Sequence, residues 1–148
     1  MLKQHMQRKN IAFIGYQTTT GRIILKKILK HCDILPNIIA LEIGKESQRR
    51  NKFVSEPYFS PEEKNILSSK VSYVPLGNIQ DYLEKTDNKT IDLLFTLFEP
   101  IDFSNMEKVI DYHLINTSRI ADELEKITIK RVVHLSSIYG REPGYVSE

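Results

Sequence analysis

The segment NIAFIGYQTTTGR, from Asn10 to Arg22, decides the fold class. Its first part, residues 10–15, is a compact apolar run that ends in Gly15, as expected of a buried strand in a parallel sheet. From Gly21 to residue 31, isoleucines and leucines recur at a spacing of four, which predicts an amphipathic helix. A strand that leads through a glycine turn into a helix is the opening unit of a parallel α/β sheet.

The rest of the chain continues this alternation of apolar runs and helical periods. Strands are predicted at residues 10–15, 37–43, 71–75, 91–98 and within 127–136. Helices are predicted at residues 21–31, 61–69, 78–84 and 104–126, and residues 45–60 are predicted to be mostly loop. The long helix carries an apolar stripe that is expected to face the core. The pattern predicts an α/β fold, a doubly wound parallel sheet of five strands in the order 3-2-1-4-5, which is Rossmann-like; a flavodoxin-like order is the alternative.

Length and composition limit the possible classes of function. The chain has 148 residues, which predicts a single domain over residues 1–148. Lys and Arg number 21 and Asp and Glu 19, so the net charge of +2 lacks the basic excess of a nucleic-acid-binding protein. No apolar run approaches the length of a transmembrane helix. The one cysteine, Cys32, can form no disulfide within the chain, so a reducing, cytoplasmic location is expected.

The four histidines show no metal-ligand spacing, and no metal site is predicted. His113 lies on the apolar stripe of the long helix, and His134 lies in the fifth predicted strand. Both are therefore expected to be hydrogen-bonded core residues.

The turn from Gly15 to Gly21 lies where a dinucleotide fingerprint would lie. Such a turn needs glycines where the backbone bends sharply and approaches a pyrophosphate, and the helix N-terminus then offers N–H groups. Gly15 and Gly21 fill two positions of a G-x-x-G-x-x-G pattern, whereas Thr18 stands at the middle one. The alternative is a strand-to-helix turn with a polar cap. The candidate cofactor-binding residues here are Gly15, Gln17, Thr18, Thr19, Thr20 and Gly21.

The end of the second strand adds one more candidate. Glu42 follows Gly21 by about 20 residues, which is the spacing of an acid that accepts hydrogen bonds from an adenosine ribose. An acid there favours NAD over NADP, because a carboxylate repels a 2′-phosphate. The alternative is a solvated residue at the end of a strand.

Four segments together resemble the extended short-chain dehydrogenase/reductases, and most of all the N-terminal Rossmann region of fatty acyl-CoA reductases. They are FIGYQTTTGR at 13–22, LKKILKHCDILPNIIALEI at 25–43, IDLLFTLFEPIDF at 91–103 and RVVHLSSIYG at 131–140. The resemblance implies NADP as cofactor, with NAD as the alternative, and an oxidoreductase of lipid metabolism that reduces fatty acyl-CoA to an alcohol. It places Ile43 where that family has a phosphate-binding Arg, so Lys45, Arg49 or Arg50 would have to take this role.

The resemblance also implies that Ser137 is the catalytic Ser or Thr. In that chemistry Ser and Tyr polarise the carbonyl oxygen, and a Lys four residues after the Tyr supports it, because hydride transfer leaves negative charge on this oxygen. No Tyr-x-x-x-Lys pair is present in the sequence. The positions four residues after the tyrosines are Thr20, Glu62, Gly77, Thr86, Asn116 and Pro143, and Tyr145 would need a residue 149. The chain is therefore expected to be incomplete for catalysis, either a truncated reductase or a noncatalytic pseudoenzyme.

Further departures from the family concern the cofactor side of the sheet. Thr18 replaces the middle glycine, Phe98 and Glu99 stand where the family has small residues, and His113 stands in place of an Asn. The fifth strand would also leave an exposed sheet edge, and such an edge favours pairing into a homodimer.

Overall fold

The computed structural model describes residues 8–97 and 106–135 of the chain. Its helices and strands follow the predicted alternation. The strands are β1 (Asn10–Ile14), β2 (Asn37–Glu42), β3 (Ser72–Pro75), β4 (Thr90–Ile91), β5 (Leu93–Leu97), β6 (Thr128–Ile129) and β7 (Val132–Leu135). The α-helices are α1 (Thr19–His31), α2 (Glu46–Val54), α3 (Pro61–Ser69), α4 (Ile79–Glu84) and α5 (Met106–Leu124), with a short 3-10 turn at Leu76–Asn78 before α4.

The main sheet is parallel, with strand order β3-β2-β1-β5-β7. Its fourth and fifth strands along the chain are β5 and β7, so the predicted order 3-2-1-4-5 is confirmed and the flavodoxin-like order is excluded. Phe13 of β1 lies opposite Ala40 of β2 on one side and Phe95 of β5 on the other. From β1 the chain continues to β2 and β3 on one side, and it then returns to β5 on the other side of β1. The strand order therefore reverses between β1 and β5, and Gly15 directly follows β1 at this point. Ligands of open α/β sheets bind at such a position, beyond the carboxyl ends of the strands.

The last two predicted strands are each interrupted. Residues 91–98 were predicted as one strand, but β4 and β5 are separated at Asp92; β6 and β7 are separated at Lys130 and Arg131. The Asp92 carboxylate accepts hydrogen bonds from the backbone N–H of Asn10 at 2.9 Å and from Lys130 Nζ at 2.7 Å. These side-chain bonds hold β1, β5 and β7 together where the regular ladder is broken, and β4 and β6 pair as a small second sheet.

The helix α2 lies within residues 45–60, so the prediction that this segment is mostly loop is wrong. Its sequence ESQRRNKFV has a low apolar content, and Lys45 at its N-terminus makes no side-chain capping bond, so the usual helix signals are missing. One buried aromatic residue anchors the helix. Phe53 packs edge-on against Tyr16 and Phe59, with ring centroids 5.1 and 5.5 Å apart. Burial of an aromatic side chain of this size outweighs the polar character of the other helix residues.

The two faces of the sheet are packed differently. One face is covered by α1, α2 and α3 and buries Phe13, Leu25 and Leu67 completely or nearly so. On the other side, Ile120 of α5 is buried, but Ile110 and Leu114 of the same predicted stripe are exposed. The expectation that this whole stripe faces the core is therefore wrong, because only the C-terminal part of α5 packs against the sheet among the described residues.

The fifth strand of the main sheet is also exposed. Val132 and Leu135 of β7 are exposed, and so is His134, which was expected to be a core residue. The hydrogen bond expected of that histidine is present, since His134 Nδ1 and Thr96 Oγ1 lie 2.7 Å apart. Because β7 is the edge of the sheet, a histidine can lie in this strand and still reach solvent.

Candidate functional site

Gly15 forms the sharp turn at the end of β1. Its φ of +84° lies in the left-handed region, which residues other than glycine rarely adopt. A Cβ at this position would lie 1.8 Å from the backbone oxygen of Leu97, at the end of the neighbouring strand β5. The turn thus needs glycine for its conformation and for the close approach of two strand ends, as the first glycine of a dinucleotide fingerprint does.

Gly21 brings the first turn of α1 against the same glycine turn. A Cβ on Gly21 would lie 2.5 Å from the backbone oxygen of Gly15 and 2.8 Å from that of Tyr16. Both contacts are to backbone atoms, so a side chain could be accommodated only by moving the helix away from the turn. This close packing of helix on strand is the part that the third glycine of the fingerprint plays.

Thr18, at the middle position of the pattern, caps the helix. Its Oγ1 donates a hydrogen bond to the backbone oxygen of Gly15 at 2.7 Å and accepts one from the N–H of Gly21 at 3.0 Å. The first N–H groups of a helix have no partner inside the helix. Thr18 Oγ1 satisfies the N–H group of Gly21. The N–H groups of Thr19 and Thr20 are therefore the ones at this helix start that can bind an anion. The polar cap, which the sequence left as one of two alternatives, is therefore present, and the cap leaves these two N–H groups without a helix partner.

Glu42 ends β2 and is buried, so the alternative of a solvated strand-end residue is wrong. Its two carboxylate oxygens have different partners. The Tyr16 hydroxyl donates to Oε2 at 3.0 Å, and the Arg50 guanidinium forms an ion pair with Oε1. Because Tyr16 directly follows Gly15, these contacts place the carboxylate beside the glycine turn, where a ribose-binding acid would be found.

Tyr16 and Gln17 connect this carboxylate to the start of α2. The Gln17 side-chain amide donates to the Tyr16 hydroxyl at 3.0 Å and to the backbone oxygen of Glu46 at 2.8 Å. The Tyr16 side chain is completely buried. Burial raises the pKa of the Tyr16 hydroxyl, and the neighbouring Glu42 charge raises it further. The hydroxyl therefore remains protonated and keeps donating to Glu42. Gln17, predicted to contact the cofactor, serves in this structure to join the turn to α2.

Arg50 lies in the half-buried face of α2 and stacks over the ring of Tyr73, with its guanidinium carbon 4.7 Å from the ring centroid. Burial alone would lower the pKa of Arg50, but the hydrogen bond and the charge of Glu42 outweigh it and raise that pKa. For the neighbouring tyrosine the effect of burial is the opposite, and it raises the pKa of Tyr73 to about 12. In the part of the chain that the structure describes, the buried Nε of Arg50 has no hydrogen-bond partner.

Arg22 fixes the glycine turn from the other side. Its Nη1 donates to the backbone oxygen of Gln17, and its Nε and Nη2 donate to the two carboxylate oxygens of Glu56, each at 2.7 Å. A bidentate pair of this kind is more directional than a single contact. The turn is thereby held to the segment between α2 and α3.

Sequence reasoning did not find the roles of Tyr16 and Arg22, and it gave Arg50 no advantage over its neighbours. An aromatic residue directly after the first glycine, together with an acid at the end of β2, is a signal that could have indicated a contact between the two. Of the three basic candidates, Lys45 and Arg49 are exposed, and Arg50 is the residue that contacts Glu42.

No family model and no curated protein matches the chain. Two solved structures do match it. One is the terminal R domain from the myxalamid PKS-NRPS biosynthetic pathway, at 16% identity and a TM-score of 0.60, over 89% of this chain and 35% of that one. The other is a short-chain dehydrogenase/reductase from Veillonella parvula, at 15% identity and a TM-score of 0.50, over 88% of this chain and 48% of that one.

The chain has a Rossmann-like fold, which it shares with both of these proteins. It spans about a third of the length of the first of these proteins and about half of the second. At these identities the likeness concerns the fold, and the residues of the glycine turn are assigned from the geometry of this chain.

Several residues that the sequence analysis singled out fall outside the described residues. These are Ser137, Phe98 and Glu99, together with the side chain of His113. Within residues 8–97 and 106–135, no group of three or more His, Cys, Asp or Glu side chains could hold a metal ion. The same stretches contain no helix that is both long and apolar enough to cross a membrane.

Proposed function

We propose that this chain is the nicotinamide-dinucleotide-binding domain of a reductase, with residues 1–148 forming a single domain. The observation that carries the proposal is the pair of glycines in the turn after β1. Backbone atoms leave no room for a side chain at Gly15 or at Gly21. A turn of this geometry at the reversal of strand order, followed by a helix N-terminus, suits a pyrophosphate.

The residues that would hold the dinucleotide follow from this arrangement. The N–H groups of Thr19 and Thr20 would face the pyrophosphate, and Glu42 with its partners would lie beside the adenosine ribose. When bound, the nicotinamide supplies a hydride. In the finer proposal, which rests on the resemblance in sequence, NADP is the cofactor, a fatty acyl-CoA is the substrate and Ser137 contacts the substrate carbonyl. The setting would be reducing, as in the cytoplasm.

Calorimetric titration with NADPH, and separately with NADH, tests nucleotide binding. Binding of either with a Kd of about 1 μM, or about −8 kcal/mol, is the expected result. The variant Thr19→Asp places a carboxylate in the first turn of α1, which favours the helix but repels phosphate. Its affinity should therefore fall while the helix remains stable. Gln80→Asp makes the same change in charge in the first turn of α4 and should leave binding unaltered. Absence of binding by the folded wild-type chain would contradict the proposal.

A second candidate is a noncatalytic Rossmann-fold protein that has lost the cofactor and acts through a protein partner. Both oxygens of Glu42 already have partners within the chain, which favours this alternative. The absence of a Tyr-x-x-x-Lys pair in the sequence favours it as well. The titrations described above separate the two candidates, since a cofactor-free protein would bind neither nucleotide.

Catalysis is tested by following NADPH oxidation with a fatty acyl-CoA. We expect the 148-residue chain to give no rate above background, because it has no Tyr-x-x-x-Lys pair to protonate the carbonyl oxygen. A rate well above background that disappears in Ser137→Ala would overturn this expectation and would make Ser137 catalytic in this chain.

A homodimer is also part of the proposal. The support is a set of exposed apolar side chains on α5 and on the edge strand β7: Ile110, Leu114, Ile115, Val132, Val133 and Leu135. Exposed edges and apolar surfaces of this kind favour association. Sedimentation velocity should give a dimer mass that reverts to the monomer in Leu114→Lys, whereas a monomeric wild-type chain would contradict the proposal.

A further inference from the structure

The partners of Glu42 change what this acid can do for a nucleotide. An acid at the end of β2 selects NAD in two ways: it accepts hydrogen bonds from the ribose hydroxyls, and its negative charge repels a 2′-phosphate. In this chain Tyr16 donates to Oε2 and Arg50 is paired with Oε1. Both oxygens therefore already accept a hydrogen bond from the protein.

The charge of the acid is compensated as well. Arg50 is held against Glu42 by more than the ion pair, because its guanidinium also stacks on the Tyr73 ring at 4.7 Å. The Glu42 side chain is only 4% exposed, so water screens this pair weakly from the carboxylate side. The Arg50 side chain is 36% exposed, so the cationic half of the pair is the half that reaches the surface. An approaching phosphate therefore meets a carboxylate whose charge is already compensated.

We propose that Arg50, by neutralising Glu42, is the residue that sets nucleotide selection, and that the chain accepts a 2′-phosphorylated dinucleotide in spite of the acid that ends β2. This inference rests on the proposed function and names the cofactor class within it. Arg50 acts through Glu42 and is therefore a positioning residue. Tyr16 contributes by donating to the second oxygen, so fewer acceptor sites of the Glu42 carboxylate remain to favour the 2′-hydroxyl of NADH.

The neighbouring basic residues do not share this geometry. Arg49 precedes Arg50 on α2 and is exposed, and it forms no ion pair among the described residues. Arg49→Met and Arg50→Met therefore remove the same charge from adjacent positions of one helix. A difference between them isolates the contact with Glu42 from the general effect of a positive charge near the site.

The experiment compares the Kd of NADPH with that of NADH by calorimetry in the wild-type chain and in each variant. The wild-type chain should bind NADPH at least as tightly as NADH. Arg50→Met should weaken NADPH relative to NADH by about tenfold, since it leaves an uncompensated carboxylate facing the 2′-phosphate. Arg49→Met should change this ratio by less than about threefold, as expected of an exposed and screened charge.

The double variant Glu42→Gln/Arg50→Met completes the test. It removes both charges and leaves no buried ion unpaired, so it should fold even if Arg50→Met alone is destabilised. NADPH binding should recover relative to Arg50→Met, because the repelling carboxylate is gone. A double variant that stays as weak as Arg50→Met would overturn the inference, since Arg50 would then contact the phosphate directly. Equal ratios in Arg49→Met and Arg50→Met would overturn it too. Failure of the wild-type chain to bind either nucleotide would instead refute the proposed function.

Discussion

The two ends of the parallel sheet each bury polar side chains, but the side chains serve different purposes. At the amino ends of the strands, Asn10 donates to the backbone oxygens of Asn88 and Thr90, both at 2.8 Å, and Asp92 accepts from Asn10 and Asn88. At the carboxyl ends, a charged pair, Glu42 with Arg50, lies beside the turn that begins at Gly15.

The difference lies in what the polar groups bind. At the amino ends, the Asn10 amide donates to main-chain carbonyls of the segment that leads into β4, which is a structural task. At the carboxyl ends, the main chain is arranged so that a helix N-terminus and a tight turn remain accessible. We therefore expect changes at the amino ends to alter stability alone, and changes at the carboxyl ends to alter stability and nucleotide binding.

The largest effect is expected from Gly15→Ala. The new Cβ would need to avoid the Leu97 oxygen at 1.8 Å while the residue keeps a φ of +84°. Because the obstructing atom belongs to the backbone of β5, two strand ends would have to separate, at a cost of about 3 kcal/mol or more. Urea denaturation should show this loss of unfolding free energy. Gly77→Ala is the matched control, since a Cβ there would meet nothing within 4 Å.

A smaller effect is expected from Asn10→Ala, at the opposite end of the same strand. It removes two hydrogen bonds, the one from Asn10 to the backbone oxygen of Thr90 and one of the two that the backbone oxygen of Asn88 accepts, the other coming from Thr86 Oγ1. The expected cost is about 2–3 kcal/mol. Nucleotide affinity of the folded fraction should not change. The exposed Asn65 of α3 offers the control Asn65→Ala, which should be nearly neutral. An altered nucleotide affinity in Asn10→Ala would contradict the expectation that changes at the amino ends of the strands affect stability alone.

The order and direction of the strands were accessible from the sequence for a physical reason. Buried parallel strands consist of continuous apolar runs, and the turn after β1 carries glycines that the geometry requires, so both leave a local signal. The helix predicted at residues 61–69 is present, and it begins at a capping box in which Glu63 Oε2 accepts from the Ser60 N–H at 2.8 Å. These features depend on neighbours in the sequence.

The features that the sequence did not predict depend on distant residues. The helix α2 has little apolar content and forms because Phe53 is buried against Tyr16 and Phe59. From the sequence, Glu42 could be either a ribose-binding acid or a solvated residue at the end of a strand. The sequence did not predict its burial, because that burial depends on contacts with Tyr16 and Arg50, which lie elsewhere in the chain. The break at Asp92 likewise depends on Asn10 and Lys130, and a local apolar pattern contains no information about them.

Acid pH should weaken the amino-end network. Burial alone would raise the pKa of Asp92, but hydrogen bonds from Lys130, Asn10 and Asn88 outweigh it and lower that pKa. A lowered pKa means that Asp92 stabilises the fold above its unfolded-state pKa of about 3.9 and that this contribution is lost as the pH falls through the folded-state value. Asp92→Asn should lose about 2 kcal/mol at pH 7 and should unfold with a shallower pH dependence below pH 4. An unchanged acid dependence would show that Asp92 is not the responsible group.

The smallest effect on stability, and the most informative one for the carboxyl ends, is expected from Thr18→Gly. Loss of the Thr18 cap should lower the unfolding free energy by only a few tenths of a kcal/mol, because glycine is itself tolerated as an N-cap. The same change removes the side chain at the middle fingerprint position and releases the Gly21 N–H that Thr18 Oγ1 now accepts. Nucleotide binding should therefore become tighter.

Thr18→Ala also releases this N–H but keeps a Cβ in the turn, so it should destabilise α1 by about 1 kcal/mol and improve binding less. Equal or weaker binding in Thr18→Gly would mean that the turn holds the helix to the sheet without approaching a pyrophosphate, and the two ends of the sheet would then differ only in their structural partners.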